Sequence, residues 1–485
     1  MSASANTIRF VLDGRIVEVA GLPATTTVLE WLREHGGRTG TKEGCAEGDC
    51  GACTVVLGEP CEGRMRWRAI NSCIRFLPTI DGKELVTVES LADGDVLHPV
   101  QQALVDQHGS QCGFCTPGFV MSLFALYLRD GAPAREDVVE ALAGNLCRCT
   151  GYRPIIDAGC AMRGYAEPRR WSRAEAQAPQ HGGLLQSIHR EKSLAFAGFV
   201  APRSLDELAT VYAAAPRSLL LAGGTDIGLW VTKHLRELPP IIYLGEVAEL
   251  QNDEQHDGVL RIGAAVSLTD AWAALVERIP QLAELAQRFG SPPVRNSGTL
   301  CGNIANGSPI GDAMPALIVL GASIELRRGE STRTLALEDF YLGYQKKALD
   351  AGEFVVAVDI RLPAPVTRLG FYKISKRIDQ DISAVCAAFA LRMEGDVIAQ
   401  ARIAYGGMAA IPARARHAEA ALTGGRFDAA AADVAAAALA QDFAPITDMR
   451  AGAAYRLQVA GNLLRRFERE QRAGTTLRTH SVALA

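Results

Sequence analysis

A chain of 485 residues, 48% hydrophobic and 21% charged, has the make-up of an ordinary globular protein. It is too long for one core and, at roughly 100–200 residues per domain, divides into about three. Its formal net charge of −4 gives no electrostatic reason to bind nucleic acid or an anionic membrane. No apolar run approaches the roughly 18 residues that span a bilayer. The N-terminus, MSASANTIRFVLDGR, lacks the apolar core of a signal peptide, so a cytoplasmic location is expected.

Residues 7–19, TIRFVLDGRIVEV, alternate apolar and polar side chains around an Asp-Gly pair, the pattern of a β-hairpin. TTVLEWLREHG (26–36) reads as a short amphipathic helix closed by Gly36, and 54–57 and 85–88 as further strands. Together they predict a small β-grasp domain over 1–90. From 91 to 165 the period turns helical, in HPVQQALVDQH, PGFVMSLFALYLRDG and AREDVVEALAGNL. Thr116 is placed to cap the second of these helices, with Pro117 in its first turn. Residues 166–193 are polar, carry too few apolar side chains for a core, and read as a linker. From 194 to 366 strands and helices alternate in a mixed α/β domain, through SLLLAGGTD, PIIYLGE, LRIGAAVS, LTDAWAALVERI, DAMPALIVLGA and SIELRR. A last α+β unit over 367–475 places RLGFYKIS, AVCAAFALRM and ARIAYGG in strands, followed by Ala-rich helices.

Twelve cysteines in a reducing compartment are metal ligands or redox groups before they are disulfides. Cys45-x4-Cys50-x2-Cys53, in GCAEGDCGACT, followed by Cys73, has the plant-type spacing of a 2Fe–2S site. Gly44, Gly48 and Gly51 let the loop turn tightly and aim backbone N–H groups at sulfur. Cys61 competes with Cys73 for the fourth position; Cys73 is favoured because Cys61, between Pro60 and Glu62, reads as a hairpin tip. Zinc is the alternative metal, although its structural sites use C-x2–4-C pairs separated by a longer loop. The second set is Cys112-x2-Cys115 with Cys147-x-Cys149. The first pair precedes a helix N-terminus, which stabilises thiolates, and the second follows a helix predicted to end near Leu146. Two antiparallel helices bring both pairs to one point, and this spacing also admits zinc. Cys61, Cys160, Cys301 and Cys386 read as small apolar residues.

LLLAGGTDIG (219–228) is a strand running into Gly223-Gly224-Thr225-Asp226, whose successive N–H groups form a nest suited to a pyrophosphate. It lacks G-x-G-x-x-G, which excludes a Rossmann reading. A second glycine-rich bend, NSGTLCGNIANGSPIGD (296–312), sets out Thr299, Gly302, Asn303 and Asp312. Singly, each stretch is more often an ordinary turn.

GCAEGDCGACT with Cys73, then QCGFCTPG and NLCRCTGYRPI, resembles the paired 2Fe–2S domains of the molybdenum hydroxylases over residues 1–165. That family includes xanthine dehydrogenase, aldehyde oxidase and carbon monoxide dehydrogenase. The two glycine-rich stretches resemble its flavin-binding domain over about 195–365, with a C-terminal flavoprotein domain over 368–470. The resemblance implies a multidomain α+β chain. Its parts are a β-grasp, ferredoxin-like 2Fe–2S domain, a helical 2Fe–2S domain, a non-Rossmann α/β FAD-binding domain and an α+β C-terminal flavoprotein domain.

By the same resemblance Cys45, Cys50, Cys53 and Cys73 hold one cluster, and Cys112, Cys115, Cys147 and Cys149 the other. Leu220, Leu221, Ala222, Gly223, Gly224, Thr225, Asp226 and Ile227 line the FAD pyrophosphate. Phe289, Thr299, Gly302, Asn303 and Asp312 touch the dinucleotide, and Val355 and Lys373 match further contacts. Tyr344 matches a tyrosine near the nicotinamide pocket, and KISKRIDQDIS (373–383) a loop passing the flavin ring. Gln380 stands where a relative has an acid, and Asp49 where one has glycine.

The order of parts resembles the iron–sulfur/flavin subunit of bacterial xanthine dehydrogenases. This implies a separate molybdopterin-binding large subunit, two heterodimers in a heterotetramer, and NAD as electron acceptor while hypoxanthine and xanthine are oxidised to urate. The resemblance also places Gln111 and Cys149 against the pterin, which implies that electrons enter at the second cluster and pass through the first to FAD. No catalytic acid, base or nucleophile is required of this chain. The nearest alternative is the same relay serving an aldehyde, a nicotinate or an aromatic thioester. The remote one is a zinc-binding interaction protein.

Overall fold

The computed structural model describes residues 6–477 except 62, 130, 179–181 and 379. It divides into two compact units. The first comprises Met1–Gln251, Ser267–Thr269 and Gly290–Thr299, and the second Asn252–Val266, Asp270–Phe289 and Leu300–Ala485.

In the first unit Asp13 and Gly14, both at positive φ (52° and 69°), turn β1 (Ile8–Leu12) into the antiparallel β2 (Arg15–Val19). This backbone matches the right-handed twist of the strands it joins. With β3 (Thr54–Cys61), β4 (Arg64–Asn71) and β5 (Glu84–Val86) they form a sheet of order β2-β1-β5-β3-β4, in which β1 and β5 run parallel. Thr27 caps a helix at Val28–Glu30 reciprocally with Glu30, and the chain continues as a wider turn over Trp31–His35 up to Gly36. Trp31 and Leu32 are both buried, and the Trp31 ring meets Phe10 edge-on at 5.0 Å.

The helical region contains Pro99–Asp106, Thr116–Tyr127, Arg135–Ala141 and Arg153–Ala161. The second is buried from Gly118 to Tyr127, as a helix apolar all round must be. Three expectations are corrected. Cys115, not Thr116, occupies the cap position, and the Thr116 hydroxyl pairs instead with Ser110 Oγ at 2.7 Å. The third helix stops at Ala141, well before Leu146, and Gly144 at φ 99° redirects the chain. The 166–193 stretch, of which 179–181 lie outside the described residues, contains helices Arg173–Gln177 and Gly183–Ile188. Its few apolar side chains suffice because they enter a neighbouring core. Trp171 is buried, donates to Ser90 O at 2.9 Å, and meets Trp67 and Phe124 edge-on.

A four-stranded sheet completes the first unit: Leu194–Phe196, Phe199–Ala201, Ile241–Tyr243 and Leu219–Leu221, in that spatial order. Its Leu194, Phe199, Leu221 and Ile241 share one core with Phe10, Val55 and Phe76 of the first sheet region.

The second unit holds an antiparallel sheet of Asp253–His256, Val259–Gly263, Phe354–Arg361, Ser323–Arg328 and Ser331–Ala336, in that order. A second sheet is a meander of Thr367–Ile374, Val385–Glu394, Val397–Gly406 and Ala413–Arg414. Helices Arg416–Leu422, Ala429–Asp442 and Ala453–Ala473 share its core, and left-handed Gly474 ends the last of them. No described helix is long and apolar enough to cross a membrane.

Candidate redox-cofactor sites

The first thiol set is assembled by a loop that only small residues could follow. Ala46, Gly48 and Gly51 all take positive φ, and a Cβ on Gly44 would sit 2.7 Å from Cys50 Sγ. Cys45 lies within hydrogen-bonding reach of Cys50 and Cys73, and Cys53 within reach of Cys73. Cys61 takes no part, since it pairs with Arg64 where β3 turns into β4. The N–H groups of Glu47 and Cys50 point at Cys45 Sγ from 3.4 and 3.3 Å, and Asn71 Nδ2 lies 3.9 Å from Cys53 Sγ.

In the second set, Cys112 reaches Cys149 and Cys115 reaches Cys147. Gly113 and Gly151 take positive φ, and Tyr152, also at positive φ, accepts the Cys147 N–H on its hydroxyl at 3.0 Å. Burial, with help from Cys147, pushes Cys115 up to about 12. Burial acts the same way on Cys147, but donors from Thr150, its hydroxyl at 3.2 Å and its N–H at 3.5 Å, hold that thiol below its ordinary value.

Both sets have the donor chemistry of iron–sulfur sites: eight sulfurs, with N–H or hydroxyl donors directed at Cys45 and Cys147. Hydrogen bonds from Cys45 and Cys53 push Cys73 far up, while Cys45 is held low by Cys50 and Cys73, and Cys53 by Cys73. Four such thiols ionise together only around a cation. Among the described residues no three Cys, His, Asp or Glu side chains converge as they do on a single ion. A two-iron core takes two thiolates at each iron, four in all, the number that each set supplies.

The two thiol loops are joined directly. Leu146 N–H donates to Cys50 O at 2.9 Å, and Asn145 Nδ2 to Gly51 O at 3.1 Å, while Asn145 Oδ1 accepts from Ser122 at 2.6 Å. A Cβ on Gly51 would stand 2.1 Å from Gly144 O, and one on Gly118 2.1 Å from Gly51 O. Sequence reasoning missed Asn145, because a lone polar residue beside a cysteine pair carries no sign of what it will touch.

The first glycine-rich stretch and the opening residues of the second, 296–299, lie together in the first unit. Gly223 leaves its strand so close to Ser297 that a Cβ would lie 1.9 Å from Ser297 O, and the Cβ position of Gly298 is 3.2 Å from Thr225 Oγ1. Gly224 takes φ 75°, and its carbonyl accepts from Gly228 N at 2.7 Å as helix Ile227–Thr232 begins. Leu220–Ile227 and Thr299 all lie here, with Thr299 buried and bridged to Ser267. The far end of the same helix rests on the first thiol loop. Thr232 Oγ1 donates to Ala46 O at 2.6 Å, Lys233 Nζ to Cys45 O at 2.9 Å, and Leu229 packs with Cys53, Cys73 and Ile74.

Phe289, Gly302, Asn303, Asp312, Val355 and Lys373 belong to the second unit, as do Tyr344 and Gln380. Asp312 is buried between Lys373 Nζ at 2.8 Å and Ser383 Oγ at 2.6 Å, with Cys386 Sγ 3.6 Å from its carbonyl oxygen. Asn303 Oδ1 is buried and has no partner among the described residues, an acceptor suited to a bound donor. Phe289 is buried against Trp272 at 5.4 Å, and Val355 is buried within its strand opposite Leu326. Tyr344 is 61% exposed on the hairpin of Tyr341–Gly343 and Lys346–Lys347, and Gln380 is half-buried at φ 50°. Asp379 of that loop lies outside the described residues.

Two arginines that sequence reasoning passed over shape this region. Arg288 binds Lys373 O at 2.8 Å and Ser375 Oγ at 3.0 Å. Arg456 is 1% exposed and ties Asp448 (2.6 Å) to the carbonyls of Ala384 and Gly407, next to Ser383.

Comparison with known proteins finds four family matches. They are a 2Fe-2S iron-sulfur cluster binding domain at residues 10–76 and a 2Fe-2S binding domain at 87–160. A FAD binding domain in molybdopterin dehydrogenase matches 194–365, and a CO dehydrogenase flavoprotein C-terminal domain 370–471. Xanthine dehydrogenase of Emericella nidulans is 33% identical, over 90% of this chain and 36% of its own length. The Drosophila subobscura enzyme of that name is 33% identical, over 82% and 34%. The chain thus spans about a third of the length of these curated relatives. Among solved structures, carbon monoxide dehydrogenase from Hydrogenophaga pseudoflava, in a form lacking the Mo-pyranopterin moiety of the molybdenum cofactor, is 29% identical. It matches with a TM-score of 0.52, covering 55% of this chain and 94% of that one. Quinoline 2-oxidoreductase from Pseudomonas putida is 28% identical with a TM-score of 0.52, covering 59% and 100%.

Proposed function

Because the chain belongs to the molybdenum hydroxylase family, with that family's paired 2Fe–2S domains and two-part flavoprotein, we propose that it is the electron-transfer subunit of a xanthine dehydrogenase. In this reading a partner chain binds molybdopterin and oxidises hypoxanthine and xanthine to urate, and electrons cross this chain to NAD⁺. The partner, two heterodimers in a heterotetramer, and a cytoplasmic location are part of the proposal.

The clusters, when bound, carry single electrons, and FAD collects a pair and releases it as hydride. The protein's share is placement. Cys112, Cys115, Cys147 and Cys149 hold the entry cluster, and Cys45, Cys50, Cys53 and Cys73 the next. Asn145 and the Leu146-to-Cys50 hydrogen bond fix the two loops against each other. In the first unit the Gly223–Asp226 turn offers backbone N–H groups to a pyrophosphate; in the second, Asn303 offers its amide oxygen to a donor, and Asp312 is held by Lys373. Tyr344 and Gln380 are assigned to the nicotinamide side.

The observation that carries this reading is the joining, within one unit, of two four-thiol loops and the glycine turn's helix. The test is the visible spectrum of the chain coexpressed with a molybdopterin-binding partner. Charge-transfer bands over a flavin envelope, bleached by xanthine and restored by NAD⁺, are the expected result. Bleaching by NADH but not by xanthine keeps the relay and moves the substrate to an aldehyde, a nicotinate or an aromatic thioester. The likeness to carbon monoxide dehydrogenase and quinoline 2-oxidoreductase favours this as the second reading. A colourless protein containing zinc overturns both.

A further inference from the structure

We propose that Lys233 and Glu47 set the reduction potential of the cluster held by Cys45, Cys50, Cys53 and Cys73, acting in opposite directions; this rests on the iron–sulfur reading above. Lys233 is far from the thiol loop in sequence, yet its ammonium donates to the Cys45 carbonyl oxygen at 2.9 Å and stands 3.8 Å from the Glu47 carboxylate. Neighbouring Thr232 holds Ala46 O at 2.6 Å, across a residue whose φ of 54° alanine rarely adopts. Within that same turn the N–H groups of Glu47 and Cys50 are aimed at Cys45 Sγ. One cysteine thus gathers a cation at its carbonyl, an anion two residues on, and two donors at its sulfur.

Lys233 is held in place by the backbone. Its N–H closes the helix on Leu229 O at 2.9 Å, and Gly228 packs so closely on Ile74 that a Cβ would lie 2.6 Å from Ile74 O. Lys42, Glu43 and Asp49 are the other charged residues of the loop.

Reduction adds a negative charge to the cluster. A nearby cation therefore favours the reduced form and a nearby anion the oxidised form, within the screening that solvent imposes. Both side chains are 41% exposed, so the effect is one of tuning and weakens with salt. Lys233 and Glu47 are not among the cluster's ligands and act on it through the charge they place beside Cys45, as positioning residues.

The test is a redox titration of the chain in complex with its partner subunit, followed by the electron paramagnetic resonance of each cluster. Lys233→Met should lower the reduced-to-oxidised ratio of this cluster by up to about tenfold at fixed potential, about 59 mV for one electron. Glu47→Gln should raise it, and Lys233→Arg should leave it near the wild type. The second cluster serves as the internal reference and should not move. A purely structural role would not shift the two variants in opposite senses. An unshifted Glu47→Gln variant, or shifts of both variants in the same direction, overturns the proposal even if Lys233→Met fails to assemble. No 2Fe–2S signal in the wild type overturns the iron–sulfur reading instead.

Discussion

Cys73 and Cys61 present one choice at the level of a single residue. Cys73 is 3% exposed and touches two other thiols, whereas Cys61 ends a strand opposite Arg64. Cys73→Ser should abolish the resonance signal of one cluster and leave the other, while Cys61→Ser should leave both. Loss of a signal in the Cys61 variant would contradict the assignment. Asn145 supplies a second case. Its amide is 4% exposed and bonds Gly51 O and Ser122 together, so Asn145→Ala leaves the buried Ser122 hydroxyl without its acceptor and removes the bond to Gly51 O. That costs about 1–3 kcal/mol, read from the denaturation midpoint of the helical domain in the assembled protein. The two thiol clusters were legible because metal chemistry demands sulfur at fixed spacing. Asn145 and Lys233 were not, because their partners are brought to them only by folding.

Among the elements, helix Pro99–Asp106 carries a pH-dependent cap. His98 is 1% exposed, accepts Val100 N–H on Nδ1 at 3.3 Å, and lies edge-on to Phe124 and Tyr127 at 5.3 and 4.8 Å. Burial lowers its pKa from 6.5 to about 4. The folded state holds neutral imidazole while the unfolded chain protonates near 6.5. The stabilisation is therefore complete above that pH and is lost as pH falls toward 4, by up to about 3 kcal/mol. His98→Asn keeps a cap without the titration and should flatten stability between pH 6.5 and 4; an unchanged acid limb would contradict this. Elements were readable in the sequence where local chemistry decides them, as at the Asp13-Gly14 turn. They were misjudged where a neighbour decides. Thr116 gave up its cap for Ser110, and Trp171 turned a polar stretch into packed structure by entering another region's core.

At the scale of the whole molecule, one unit joins two four-thiol loops to the helix that follows a glycine turn, the arrangement the proposed electron relay needs. The pairing of two thiol sets and two glycine bends was legible from end to end of the sequence. Substrate choice was not, since the chemistry assigned to this chain is electron transfer rather than recognition of a substrate. Gly223→Ala tests the flavin half, since its Cβ would meet Ser297 O at 1.9 Å. The variant should lose most of its flavin and keep its iron, and a full flavin content would contradict the placing of FAD on this turn. The most direct measurement of the central claim is the iron and flavin content of the purified complex, taken with the resonance spectrum after reduction by dithionite. About four irons and one flavin per chain, with two distinct 2Fe–2S signals, is the predicted result. Zinc in place of iron, or a single signal, would contradict it.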